Sequence, residues 1–254
     1  MDRAILDRLA RALPDIPRWV ETRSMLLFGR CEVFGLGEGE DLSFVVRDAE
    51  DVLISVVGRP GSDAIREAVA REWEGDVVIG SPENRPHVSS ALPGWRAVSA
   101  TQHLLDDADR LPRVPVGSVR WLEESELEIL EGLPSDLLFE LRLAARGSPI
   151  AAGLNGGHPV SFCYAAARTE GLWDISIDTL EEFRRQGHAT RCVAFMVEHM
   201  GENGKQPVWG AEEWNRASLG LAARLGFVPV DEVVVFHPAG AIEDESCAKI
   251  GPDT

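Results

Sequence analysis

The sequence predicts an α+β fold. A smaller α/β unit, residues 1–115, precedes a larger unit with a mixed sheet flanked by helices, residues 116–240, and a tail, 241–254. Three observations predict it. Apolar runs of strand length alternate with stretches of helical periodicity along the chain. A stretch with two prolines and a closing glycine, DRLPRVPVG at 109–117, separates two such series and puts a boundary near residue 115. No internal repeat, and no apolar run near the ~20 residues of a membrane span, points to a solenoid or a membrane protein.

The first unit opens on an amphipathic helix, with Ile5, Leu9 and Leu13 at helical spacing and Pro14 and Pro17 ending it. Residues 25–28 and 31–34 are short apolar runs and read as strands. The piece GLGEGED at 35–41 reads as a turn. Position 40 is Glu, so G-x-G-x-x-G is incomplete, and a strand follows instead of a phosphate-binding helix N-terminus. Strands follow at 42–46 and 52–57. Ser62 and Asp63 are cap residues for a helix running to about residue 72. A strand at 76–79, a helix at 82–92 and a strand at 95–100 complete the unit.

The second unit reads as a strand at 118–122, helices at 123–132 and 136–146, and strands at 150–154 and 160–166 joined by the turn residues Asn155, Gly156 and Gly157. The next strand, 173–179, alternates: Trp173, Ile175 and Ile177 point one way, Asp174, Ser176 and Asp178 the other. A helix starting near Gly187 carries the stripe Ala189, Cys192, Val193, Met196 and Met200. A strand at 207–211, a helix at 215–225 stopped by Gly226, and strand material at 227–230 and 233–236 follow.

Composition narrows the function. Forty-two acidic against 25 basic residues give a net charge of −17, the opposite of a nucleic-acid footprint and a field that concentrates small cations or amines. Cys31, Cys163, Cys192 and Cys247 form no C-x-x-C pair, and the six histidines show no ligand spacing, so no metal is expected. The charged start lacks a signal-peptide core, and a cytoplasmic protein with free thiols, touching neither membrane nor nucleic acid, is expected.

The most informative segment is RRQGHAT, residues 184–190, between an alternating strand and an amphipathic helix. A helix N-terminus there offers unpaired N–H groups and the positive end of the helix dipole. Gly187 lets an anion approach the main chain, Ala189 keeps the next position small, and Arg184 and Arg185 supply charge. With what surrounds it, DISIDTLEEFRRQGHA at 174–189 and PVWGAEEWNRASLGLAARLGF at 207–227, this chain resembles the GNAT superfamily of acyl-CoA-dependent N-acyltransferases. Arg184, Gly187 and Ala189 match the three fixed positions of that family's [QR]-x-x-G-x-[GA] loop. Asn215, Leu225, Gly226 and Phe227 match its second motif. The resemblance covers about residues 116–236 and extends to a two-domain subgroup whose N-terminal half is a degenerate α/β unit of related shape.

The resemblance implies a sheet that splays at its middle strand and takes the thioester end of acetyl-CoA in the cleft. Main-chain groups of Ile177, Asp178 and Thr179 would pair with the pantetheine arm. The N–H groups of Arg185, Gln186, Gly187, His188, Ala189 and Thr190 would hold the pyrophosphate, and Asn215 and Ser218 would sit beside the pantetheine and thiol. A primary amine would attack the thioester directly after losing a proton, its pKa lying near ~10. Glu212, Glu213 and Asp178 are the base candidates. The tyrosine that many members place four residues before the Gly of L-G-F is Ala222 here, and the chain's one tyrosine is Tyr164. Either the thiolate would then leave unaided, or Ser218, a water or another group would protonate it. Two rivals follow, a non-catalytic acyl-CoA sensor and a transferase of longer acyl chains. The acceptor expected is a small amine, and a homodimer is left open.

Overall fold

The computed structural model describes residues 1–37, 42–70, 76–128, 130 and 132–240. In chain order the elements are α1 (Arg3–Ala12), α2 (Val20–Phe28), β1 (Cys31–Phe34), β2 (Phe44–Asp48), β3 (Leu53–Val57), α3 (Ser62–Val69), β4 (Val77–Gly80), α4 (Arg85–Ala91) and β5 (Arg96–Leu105). Then come β6 (Val119–Leu122), α5 (Ser135–Ala145), β7 (Ile150–Asn155), β8 (His158–Arg168), β9 (Leu172–Thr179), α6 (His188–Glu202), β10 (Gln206–Glu212), α7 (Arg216–Arg224) and β11 (Phe227–His237).

All these strands form one sheet in the order β1-β2-β3-β4-β11-β5-β10-β9-β8-β7-β6. Neighbours run antiparallel except β3 beside β4 and β9 beside β10. The boundary near residue 115 falls on the connector between β5 and β6, and the sheet continues across it by exchanging strands. β11 lies between β4 and β5, and β5 between β11 and β10. Side chains stitch the two halves further. Arg18 holds Asp231 of β11 through Nε at 2.8 Å, and Arg23 reaches Glu170 at 2.6 Å while capping the carbonyls of Ala10 and Leu13.

The sheet carries several cores, and some are shared between the halves, as where Val234 and Phe236 pack with Val78 and Val88. Trp173, Ile175, Cys192, Val193, Met196 and Met200 are buried between the sheet and α6, as the alternation and the helical stripe require. In the first half Ile65, Ala68 and Val88 pack on Ile54, Val56 and Val78. Arg47 and Asp76 are 3% and 5% exposed and pair through two bonds of 2.8 and 2.9 Å, with Arg47 also donating to the Ala68 carbonyl. Removing one partner strands a buried charge. Asp76→Ala is expected to cost about 3–5 kcal/mol in chemical denaturation, and a loss below 1 kcal/mol would contradict the pairing.

Several expectations need correction. Residues 25–28 belong to helix α2, not a strand. The helix is buried around most of its girth, so its apolar run carries no amphipathic signature, and Gly29 closes it at φ +72°. Ser62 and Asp63 are the first residues of α3, whose N-cap is Gly61 without a side-chain bond. Within the helix expected at 123–132 the structure shows a 3-10 segment, Glu124–Glu128, beside the Arg120–Glu126 pair at 2.6 Å, and residues 129 and 131 lie outside the described residues. The last two strand pieces are one strand, β11, whose register shifts between Pro229 and Asp231. The end of the 35–41 turn, the expected end of the helix after Ser62, Cys247 and the tail at 241–254 lie outside the described residues. Cys31, Cys163 and Cys192 are free and buried.

Candidate active site

The site begins where two parallel strands part. β9 and β10 pair at Leu172–Gln206, Trp173–Pro207 and Asp174–Val208, and no further. From there β9 stays bonded to β8 as far as Thr179, and β10 stays bonded to β5 as far as Glu212. The sheet therefore forks, leaving main-chain groups of Ile175 to Thr179 facing an open edge. The corresponding parallel pair of the first half, β3 with β4, is bonded from Leu53–Val77 to Val56–Gly80 and does not fork.

The outer end of the fork leads into the loop of residues 184–190. After a 3-10 turn, Glu181–Phe183, the chain passes through Arg185 at φ +60° and Gly187 at φ +80° into α6. Arg185 is the one non-glycine among the described residues with positive φ, a conformation that costs about 1–2 kcal/mol and turns successive N–H groups to one side. Arg184 Nε donates to the Thr179 carbonyl at 3.2 Å, and Gln186 Nε2 to that of Glu182 at 3.0 Å. Gly187 caps α6 without a side-chain bond, and the main-chain N–H groups of residues 185–190 meet no acceptor among the described residues. A Cβ at Gly187 would lie 3.2 Å from Arg191 Nη1. Orphan amides, a helix N-terminus and the Arg184, Arg185 and Arg191 guanidinium groups fit a diphosphate. The His188 side chain turns inward, 5% exposed, with Nδ1 3.1 Å from Arg191.

The remaining candidates separate. Asn215 caps α7, its Oδ1 accepting from Ser218 N–H at 3.0 Å. Ser218 Oγ accepts from Trp209 Nε1 at 2.9 Å, which leaves the hydroxyl proton free to donate. Glu212 is held by His237 Nε2 at 2.9 Å and Trp214 Nε1 at 2.8 Å. Glu213 is exposed, its N–H spent on the Ser99 carbonyl at 3.0 Å. Asp178 lies on β9 itself. Burial raises its pKa, opposed by the nearby Arg184 guanidinium and reinforced by Asp136. Ala222 is fully buried in the core with Trp209 and Phe227, so the position usual for a tyrosine faces packing here.

Sequence reasoning missed three groups on this side of the sheet. Asp174 sits at the crotch of the fork, in register with Val208. Its neighbour Glu21 comes from α2, whose pKa burial and Asp51 push up to about 7. Gln102, on β5, is paired with Gly210 of β10 and lies against it. Asp174 was legible in the strand's alternation. Glu21 and Gln102 were not, because nothing local links them to residue 174.

The chain is similar to known proteins in sequence and fold. Residues 147–236 match the family model described as GNAT acetyltransferase. A 100-residue stretch is 35% identical to the uncharacterized N-acetyltransferase YdfB of Bacillus subtilis, covering 38% of this chain and 36% of that relative, so the chain spans about a third of the curated relative it matches. A GCN5-related N-acetyltransferase-like protein of Streptococcus suis superposes with a TM-score of 0.65 at 19% identity, over 92% of this chain and 97% of that one. A tandem GNAT protein from the clavulanic acid biosynthesis pathway gives 0.55 at 17% identity, over 98% and 95%. These two likenesses are of fold.

Proposed function

We propose that this chain, which belongs to the GNAT superfamily, is an N-acetyltransferase that moves an acetyl group from acetyl-CoA to a primary amine by direct attack. One observation carries the reading: the fork between β9 and β10 opens at Asp174 and runs on into the uncapped amides of residues 185–190. An acyl-CoA needs both features together, an edge for its amide-bearing arm and an anion cradle for its pyrophosphate.

In this reading the main chain of Ile177, Asp178 and Thr179 aligns the arm, and the loop from Arg184 to Thr190 holds the diphosphate. Acetyl-CoA supplies the activated thioester. The attacking ammonium loses two protons in all. A carboxylate on the polar face of β9 takes the first, with Asp178 the candidate the sequence singled out. Its raised pKa brings it closer to the ammonium and makes it the better acceptor. Nitrogen then bonds to the acetyl carbon, the carbon–sulfur bond breaks, and the second proton ends on sulfur. The Ser218 hydroxyl, which accepts from Trp209, is the candidate donor to that sulfur and would regain its proton from nitrogen. A main-chain N–H near Thr179 is the candidate donor to the developing oxyanion.

The buried Ala222 favours one rival, an acyl-CoA sensor without turnover. Calorimetric titration with acetyl-CoA and CoA, followed by thiol release with a panel of primary amines, separates the readings. Micromolar binding with amine-dependent thiol release is expected. Binding without release from any amine supports the sensor, much tighter binding of a longer acyl-CoA moves the donor assignment, and no binding of any CoA species ends the reading. No described helix is long and apolar enough to cross a membrane.

A further inference from the structure

The face of the sheet opposite α6 carries a trough of carboxylates that, among the described residues, face one cation, Arg184. Register places Asp174, Ser176 and Asp178 on one face of β9, beside Phe162 and Tyr164 of β8. α2 lies across this face and brings Glu21 against Asp174. The turn between β2 and β3 brings Asp51 toward both Glu21 and Glu140, and Glu140, on α5, receives the Tyr164 hydroxyl at 3.1 Å. The acids therefore come from both halves of the chain and meet over the fork. Burial and repulsion from neighbouring acids raise the pKa of Glu21, Glu140, Asp174 and Asp178 together, and among the described residues Arg184, beside Asp178, is the one cation acting against this.

Two acceptors at its inner end are left unmet by the protein's own groups. Asp174 Oδ1 is buried without a hydrogen-bond partner. Gln102 is 4% exposed, its Oε1 is likewise buried and unpartnered, and its amide lies against Gly210. Gly210 is also the residue whose N–H faces the Asp174 carboxylate. An orphan amide oxygen and an orphan carboxylate oxygen thus flank the same glycine, and both call for a donor. Among the described residues no three acidic, His or Cys side chains converge as a metal-ligand set. The acids are strung out instead. Asp174 and Asp178 are four residues apart on an extended strand, roughly 13 Å at the usual rise.

We propose that the acceptor is a linear polyamine-type cation with at least two ammonium groups, lying along this trough between Glu21 and Asp174 at its inner end and Asp178 and Glu140 at its mouth. Several N–H donors on a flexible chain satisfy dispersed carboxylates and the Gln102 oxygen at once, which a single ammonium does not. The proposal rests on the acyl-transfer reading and names the substrate class of that site.

Calorimetric titration of the full chain with spermidine and with butylamine tests it. Spermidine is expected to bind at least tenfold tighter than butylamine. Glu21→Gln and Asp174→Asn should each weaken spermidine at least tenfold, and Glu140→Gln, at the exposed mouth, several-fold. Asp109→Asn, an exposed acid elsewhere, should leave it unchanged, which separates the trough from the general pull of an acidic protein. Equal binding of the two amines, no spermidine binding, or unchanged affinity in folded Glu21→Gln protein would overturn the proposal. Acetyl-CoA titrated into the same samples keeps the two readings apart. Its binding without a spermidine preference sinks the acceptor assignment alone, and its failure to bind wild-type protein sinks the acyl-transfer reading.

Discussion

Residues 116–254 expressed without the first 115 are expected not to fold. β11 has two neighbours, β4 and β5, and both belong to the missing segment. Its ladder with β5 runs from Phe227–Leu105 to His237–Arg96, and that with β4 from Val234–Gly80 to Phe236–Val78. Val233, Val234, Val235 and Phe236 are all under 9% exposed in the intact chain and pack with first-half residues such as Ile79, Val88 and Ala100. At about 1.5–3 kcal/mol for each buried side chain, uncovering them forfeits on the order of 10 kcal/mol, as much as the whole stability of an ordinary domain. β10 would become an open edge as well, since β5 covers it from Ala100 to Leu104. The fragment should give no cooperative thermal transition and no near-ultraviolet circular dichroism. A sharp transition at native-like temperature would show that the exchanged strands are dispensable and that the second half stands alone.

Gly187→Arg is expected to abolish acetyl-CoA binding, with affinity falling at least a hundredfold. The substitution acts twice. Gly187 sits at φ +80°, where any side chain is strained by about 1–2 kcal/mol, and its Cβ would press on Arg191 Nη1 at 3.2 Å. The new side chain also fills the space over the orphan amides, where the diphosphate is proposed to lie. The strain alone predicts a modest loss of stability, so the variant should remain folded. Calorimetry beside thermal unfolding separates the two effects. Affinity within twofold of wild type in folded protein would show that the loop is ordinary strand-to-helix architecture.

Much of this site was legible in the chain because its signals are local. The period of two in DISID set which side chains of β9 meet the core, and the period of 3.6 after Gly187 set the buried face of α6. Both match the burial of Trp173, Ile175, Cys192, Val193 and Met196. Gly187 was legible as a point where the main chain can be approached closely, because it has no Cβ, whereas the left-handed Arg185 at φ +60° was not. What escaped depends on partners far away in sequence. No local pattern says that β11 inserts between strands of the first half, because strand pairing is chosen by the whole sheet. The apolar run of residues 25–28 is consistent with strand or helix until α2 is seen buried against β8 and β9. Glu212 looked free to act as a base, yet His237, twenty-five residues on, holds it. Glu21 reaches Asp174 across the junction of the two halves.

The central claim is that one acyl-CoA lies in the β9–β10 fork with its diphosphate on the start of α6. Amide hydrogen exchange with and without acetyl-CoA tests it most directly. The account predicts slowed exchange at residues 185–190 and 177–179, and none at the unforked β3–α3 turn of the first half. Unchanged exchange at 185–190 under saturating acetyl-CoA, or protection centred on the first half, would contradict it.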